Sequence, residues 1–245
     1  MTSRLALILL ITAFVSTSVL AAEEQPDISG VWVAFSSNPG FVGAVSEPQT
    51  AQGKAMVEEY FAQFENHVEP GAWCVAPGMP YTMLTQVSYP IEILQTENRI
   101  TMLMEYDMQV RRIFMDGRSE PADYPPTRVG YSTGQWEGNT LVVETGLLTE
   151  DLDNRWPRTE QTRIMERVYL SKFEKEEVES TGFVSTIADP VSNDVLVFEY
   201  SVTDPLLYTE PRNITMYYQR MTDDIFLEYD CPAGNWREAL KAANP

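Results

Sequence analysis

The run from Arg99 to Thr145 narrows most sharply what this chain can fold into, because strand-like alternation recurs in it between short turn signals. Ile100, Met102, Met104 and Tyr106 share one face of an extended chain, with Thr101, Leu103 and Glu105 on the other. After a reversal near Asp107, Val110, Arg112 and Phe114 alternate with Arg111, Ile113 and Met115. The adjacent arginines must therefore point to opposite sides of the sheet. Taking the face of Val110 and Phe114 as the inner one predicts an inward Arg112, with Glu105 or Glu144 as its partner, since a buried guanidinium needs a carboxylate or an anion. Asp116-Gly117 is a tight-turn dipeptide, and a Pro-rich link from Pro121 to Pro126 follows. A second hairpin then runs Tyr131 to Trp136, turns at Glu137-Gly138-Asn139, and returns over Thr140 to Thr145.

Further strands are predicted at Val31–Phe35, Ile91–Gln95, Arg163–Leu170, Gly182–Ile187, Val195–Val202, Asn213–Met221 and Ile225–Tyr229. Pro48 to Asn66 reads as a helix, entered through a capping box of Ser46 with Gln49, and its stripe of Val57, Tyr60, Phe61 and Phe64 packs on the sheet. Asn235 to Ala242 reads as a short C-terminal helix. About ten strands and two helices specify an all-β protein: a single antiparallel β-barrel, closed or nearly so. The chain from Glu69 to Pro90 lacks periodicity and reads as an ordered loop over a barrel mouth.

Residues 1–21 carry Arg4, an apolar run from Leu5 to Leu20 and a small-residue end, which is a secretory signal peptide with cleavage after Ala21. The barrel domain is then 22–245, and the expected location is periplasmic or secreted. Cys74 and Cys231 are the only cysteines, so in an exported chain they are expected to form a disulfide. Closing so long a loop restricts the unfolded chain by ~5 kcal/mol in the entropy model. A formal charge of −19 argues against nucleic acid and anionic membranes as partners. One histidine, His67, and two cysteines are a poor stock for a nitrogen and sulfur metal site, and no calcium loop, phosphate loop or dinucleotide fingerprint occurs, so neither metal nor cofactor is expected.

Several segments carry a likeness. They are Pro-Asp-Ile-Ser-Gly-Val-Trp from Pro26; Cys74 with Pro77-Gly78-Met79-Pro80; Glu105-Tyr106-Asp107 before Val110-Arg111-Arg112-Ile113; Met115-Asp116-Gly117-Arg118; Gly134-Gln135-Trp136-Glu137-Gly138-Asn139 through Thr145; and Glu228-Tyr229-Asp230-Cys231. Together they resemble a largely uncharacterised family of exported bacterial proteins, and the resemblance implies a lipocalin-like β-barrel. In lipocalins a Gly-x-Trp such as Gly30-Val31-Trp32 closes one barrel end. The chain departs from that family at Gly130-Tyr131-Ser132 and Pro157-Arg158-Thr159-Glu160, where the family pattern has Gly-His-Ser and Pro-His-Ser-Glu, and at a longer segment from Lys172 to Val191. The family brings no agreed catalytic residues.

Two functions follow from such a barrel. One is a carrier whose lumen holds a small apolar or amphipathic molecule against Met102, Met104, Tyr106, Arg112, Phe114, Tyr131 and Tyr200, under a rim built from the Cys74 loop. The same residues could instead fill a solid core. The alternative is a metal-independent isomerase, lyase or cyclase whose acid–base set is drawn from Glu105, Tyr106, Arg112, Tyr131 and Glu144. A module that pairs through a barrel edge is a third class. The state of the interior discriminates among them.

Overall fold

Nine strands lie side by side in chain order, and the ninth pairs with the first, so the sheet closes into a barrel with no free edge. They are β1 (Gly30–Asn38), β2 (Ile91–Thr96), β3 (Arg99–Met104), β4 (Gln109–Phe114), β5 (Tyr131–Glu137), β6 (Thr140–Gly146), β7 (Arg163–Lys172), β8 (Asp194–Thr203) and β9 (Arg212–Arg220). The structure, a computed structural model, describes residues 25–38, 48–64, 75–84, 89–153, 155–172, 194–221, 225–229 and 241. The expected signal peptide, the expected strand at 182–187, Cys74 and Cys231, and the C-terminal helix apart from Lys241 fall outside them. No helix among the described residues is long and apolar enough to cross a membrane.

A ring of strictly alternating strands needs an even number of members, so nine strands can close only with a parallel pair. That pair is β4 with β5, where Ile113 faces Ser132 and Phe114 faces Thr133. The link of residues 115–130 makes it possible by carrying the chain from the bottom of the barrel, where β4 ends, back to the top, where β5 begins. Pro121, Pro125 and Pro126 donate nothing to a ladder, and the link joins one only near its end, where the Thr127 amide donates to the Leu147 carbonyl (2.9 Å). The link ends at Gly130, which needs its left-handed φ of 72°.

The β3–β4 connection decides which residues enter the barrel. Met104 pairs with Gln109, Met102 with Arg111 and Ile100 with Ile113. The loop between them holds an even number of residues, 105–108, with Asp107 and Met108 in the left-handed region (φ 56° and 48°). Even positions inside β3 therefore face odd positions inside β4. Arg111 points inward and is 1% exposed, whereas Arg112 is exposed to solvent. The sequence-based register for β4 is thus wrong by one residue.

The same alternation gives each strand an inner row: Ile91 and Ile93; Leu141, Val143 and Thr145; Ile164, Glu166 and Val168; Leu196, Phe198 and Tyr200. These side chains and their neighbours form one apolar cluster. The bottom is closed by Trp32, whose indole N–H donates to the Ile28 carbonyl (3.0 Å) beneath the Arg220 guanidinium, 4.4 Å from the ring centroid. The top is closed by the α2 turn (Tyr81–Leu84), which lies in the stretch expected to be loop and buries Met83 and Leu84 together with the preceding Met79. Helix α1 (Ala51–Phe61) starts later than expected, capped by Thr50, whose hydroxyl accepts from the Gly53 amide (2.8 Å). Gln49 accepts from Thr209 (3.0 Å), and Ser46, its expected partner in a capping box, lies outside the described residues. Met56, Val57 and Tyr60 pack on the core, while Phe61 and Phe64 remain exposed. Residues 225–229, expected as a strand, carry no strand assignment; the Leu227 amide donates to Glu105 (2.8 Å).

Candidate functional site

Five consecutive strands each place one polar side chain on a single wall of the interior: Arg111 from β4, Ser132 from β5, Thr145 from β6, Glu166 from β7 and Tyr200 from β8. All are 2% exposed or less. Arg111 ties the first four together. Its Nε donates to Ser132 Oγ (3.1 Å), Nη1 to Glu166 Oε1 (2.9 Å), and Nη2 to Thr145 Oγ1 (2.7 Å) and to Glu166 Oε2. Ser132 and Thr145 also bond to each other (2.8 Å). The guanidinium fork thus grips the carboxylate with both arms, the geometry in which a buried pair offsets its own desolvation. Burial works against the charge on Arg111, but the Glu166 carboxylate overrides it and holds the guanidinium more firmly protonated than usual.

Tyr200, the register partner of Glu166, is the member left over. Its hydroxyl is buried and makes no well-formed hydrogen bond; the neighbouring Tyr218 hydroxyl lies close enough to act on it as a weak partner. The nearby Tyr218 hydroxyl donates instead to the Met83 carbonyl (2.9 Å). Burial first, and then the proximity of Tyr218 and Glu166, push the Tyr200 phenol well above its ordinary range, so it is neutral and can donate. Ser37 Oγ and Gln109 Oε1, on inner positions of β1 and β4, also lack partners. The opposite wall is apolar and soft, with Met102, Met104 and Met216 beside Ile91 and Ile93, and with Met79 and Met83 above them. The interior is therefore amphipathic across its width, a feature that strand alternation alone does not reveal.

The residues expected to line one lumen do not meet there. Met102, Met104 and Tyr200 point inward. Arg112 is in solvent. Phe114 and Tyr131 lie on the outer face, stacked on each other with ring centroids 5.0 Å apart, and Tyr124 of the link meets Tyr131 edge-on at 4.9 Å. Tyr131 is 5% exposed because this cluster covers it from outside. Glu105 and Tyr106 sit in the top turn, where Tyr106 contacts the rings of Tyr89 and Tyr229 (5.1 and 5.4 Å) and is pushed up to about 12, chiefly by burial and then by Asp107. Glu144 is exposed on β6. The five candidate acid–base residues are thus distributed over the top, the outer face and solvent.

Arg111, Ser132, Thr145 and Glu166 were not singled out from the sequence. Glu166 carried a usable signal, a carboxylate in line with Ile164 and Val168 on an apolar face, which calls for an inward cation. Among the described residues no three His, Cys, Asp or Glu side chains are grouped as a metal ion would need.

A groove of about 380 Å³ opens on the outer face of β5 to β8. Tyr131 and Glu144 line it, with Glu120 of the link, Arg163, Met165 and Thr203. No family model matches the chain, and no curated protein does.

Proposed function

We propose that this protein is an exported barrel that binds a small amphipathic molecule in its interior. The observation that carries the reading is the Tyr200 hydroxyl, buried with no well-formed hydrogen bond and only Tyr218 close to it, at the end of a polar wall that faces a methionine-rich one. Leaving a buried hydroxyl unpaired costs about 1–3 kcal/mol, so such a group in a native interior calls for a polar partner. A ligand whose polar end accepts from Tyr200 and whose apolar body displaces the pliable methionine side chains satisfies both walls at once. Access is through the top, where the ties of α2 and its approach include Met79 N to the Arg128 carbonyl (2.9 Å), Gln109 to Thr82 (2.6 Å), Tyr218 to Met83 and Arg158 to the Pro77 carbonyl (2.7 Å). The N-terminal leader and the resemblance to exported proteins support the location.

An enzyme of the isomerase or cyclase kind needs a base free to accept a proton. The interior carboxylate, Glu166, is committed to both arms of Arg111. The binding reading is therefore the better supported one. Native mass spectrometry of protein purified from its own host tests it: the wild type should carry a small molecule that denaturation releases, and Tyr200→Phe, with an unchanged circular dichroism spectrum, should retain much less. A wild type that carries none and acquires none from a host lipid and metabolite extract would overturn the proposal.

A further inference from the structure

The geometry points to a second, external binding site, for a small zwitterion such as an α-amino acid with an apolar side chain. It is the outer groove of β5 to β8, and it does not depend on the luminal reading. The registers place two rows of side chains on this face. Tyr131, Gly146, Arg163 and Thr203 form one; Thr133, Glu144, Met165 and Ser201 form the next. The glycine opens the floor. A Cβ at position 146 would lie 2.4 Å from Glu120 Oε2 and 3.1 Å from Arg163 Nε, so a side chain there would displace the Glu120 carboxylate from its place over Gly146 and crowd Arg163. Gly146 is not among the residues with a left-handed φ, so the backbone does not require glycine; the open space does.

Three charges meet in this groove without a direct ion pair among the described residues. Arg163 donates only to the backbone carbonyls of Glu160 (3.2 Å) and Thr162 (3.0 Å), and among the described residues it makes no ion pair. Neither Glu120 nor Glu144 has a hydrogen bond or ion pair among the described residues, although both line the same groove as Arg163. An anion alone would meet two repelling carboxylates, and an amine alone would meet the guanidinium. A molecule carrying both charges close together satisfies all three: its carboxylate takes the Arg163 fork and its ammonium lies between Glu120 and Glu144. Tyr131 and Met165 supply apolar surface for the side chain, and the hydroxyls of Thr133, Ser201 and Thr203 complete a polar rim. The volume of about 380 Å³ accommodates an amino acid with a large side chain.

Isothermal titration calorimetry on the mature chain tests the site with L-phenylalanine, N-acetyl-L-phenylalanine, which lacks the ammonium, and L-phenylalaninamide, which lacks the carboxylate. The expected result is saturable binding of L-phenylalanine and a loss of about tenfold or more for each derivative, as removal of one charge-assisted contact implies. Gly146→Ala and Arg163→Gln should each abolish binding. Arg163 is exposed, so the second variant remains informative if the first disturbs β6. Tyr200→Phe should bind L-phenylalanine as the wild type does. Equal binding of the amide would make this an amine site, equal binding of the N-acetyl derivative would make it an anion site, and no binding of any of the three would leave no site; each of these outcomes overturns the proposal.

Discussion

Replacing Arg111 with methionine removes the side-chain hydrogen bonds that tie β4 to β5, β6 and β7 inside the barrel while keeping most of the side-chain volume. Four hydrogen bonds go, two of them to Glu166. Ser132 and Thr145 lose little, because they still bond to each other at 2.8 Å. Glu166, at 0% exposure, is left with no cation. Stranding one member of a buried ion pair costs about 3–5 kcal/mol, a large share of the ~5–15 kcal/mol that holds a domain together. At ~2–4 °C per kcal/mol for a chain of this size, the midpoint of thermal unfolding should fall by about 6–20 °C. Urea unfolding of wild type and variant with equal slopes is the assay. Arg111→Met with Glu166→Leu removes both charges and should recover most of the loss, as apolar replacement of buried pairs commonly does. Arg112→Met, on the solvent face, should change stability by under ~0.5 kcal/mol. If the single Arg111 variant were as stable as the wild type, or the double variant no better than the single, the account of the interior would fail.

Three further expectations concern other parts of the molecule. Burial raises the phenols of Tyr106 and Tyr169 to about 12 and that of Tyr200 further, so the folded state favours their neutral forms; the stability they hold is full below the unfolded value of ~10 and lost as pH rises from there toward 12, and ultraviolet titration should show several of the 12 tyrosines ionising only as the protein unfolds. Asp204, 1% exposed, accepts from the Thr159 amide and hydroxyl (3.1 and 2.7 Å), the Thr162 hydroxyl (2.6 Å) and the Leu206 amide (2.9 Å), so Asp204→Ala should destabilise by about 2–4 kcal/mol in urea, and a loss under 1 kcal/mol would mean these bonds are replaced by water. Cys74 and Cys231 are proposed to be bonded in the exported protein; non-reducing mass spectrometry should find two hydrogens fewer than in the reduced chain, and two free thiols would refute it.

The barrel was legible because its evidence is local. Alternation in β3, β5 and β6, the Asp116-Gly117 and Glu137-Gly138-Asn139 turns, and Trp32 at the first strand all act within a few residues. What alternation cannot supply is parity across a loop. Four residues between Met104 and Gln109 reverse which member of the Arg111–Arg112 pair is inside; Phe114 is apolar on the outer face because Tyr131 and Arg118 cover it, and Val110 is a single exposed valine, which is ordinary on a sheet surface. The link before β5 accounts for Tyr131, an outward residue buried by Phe114 and Tyr124 rather than by the lumen. Parity also explains the parallel β4–β5 pair, since only the full strand count shows that one is needed. The luminal ion pair draws on β4 and β7, 55 residues apart in sequence, and the lone carboxylate on an apolar face at Glu166 was its one local sign. The outer groove left no such sign, because Gly146 matters for the space it leaves and not for a turn.

Crystallography of the protein purified from its own host, without added ligand, tests the central claim most directly. The account predicts continuous density between the methionine wall and the polar wall, with a polar atom of the bound molecule within hydrogen-bonding distance of the Tyr200 hydroxyl and with Met79 or Met83 displaced toward the top. An interior filled by protein side chains alone, with the Tyr200 hydroxyl bonded to a neighbouring protein group, would contradict it.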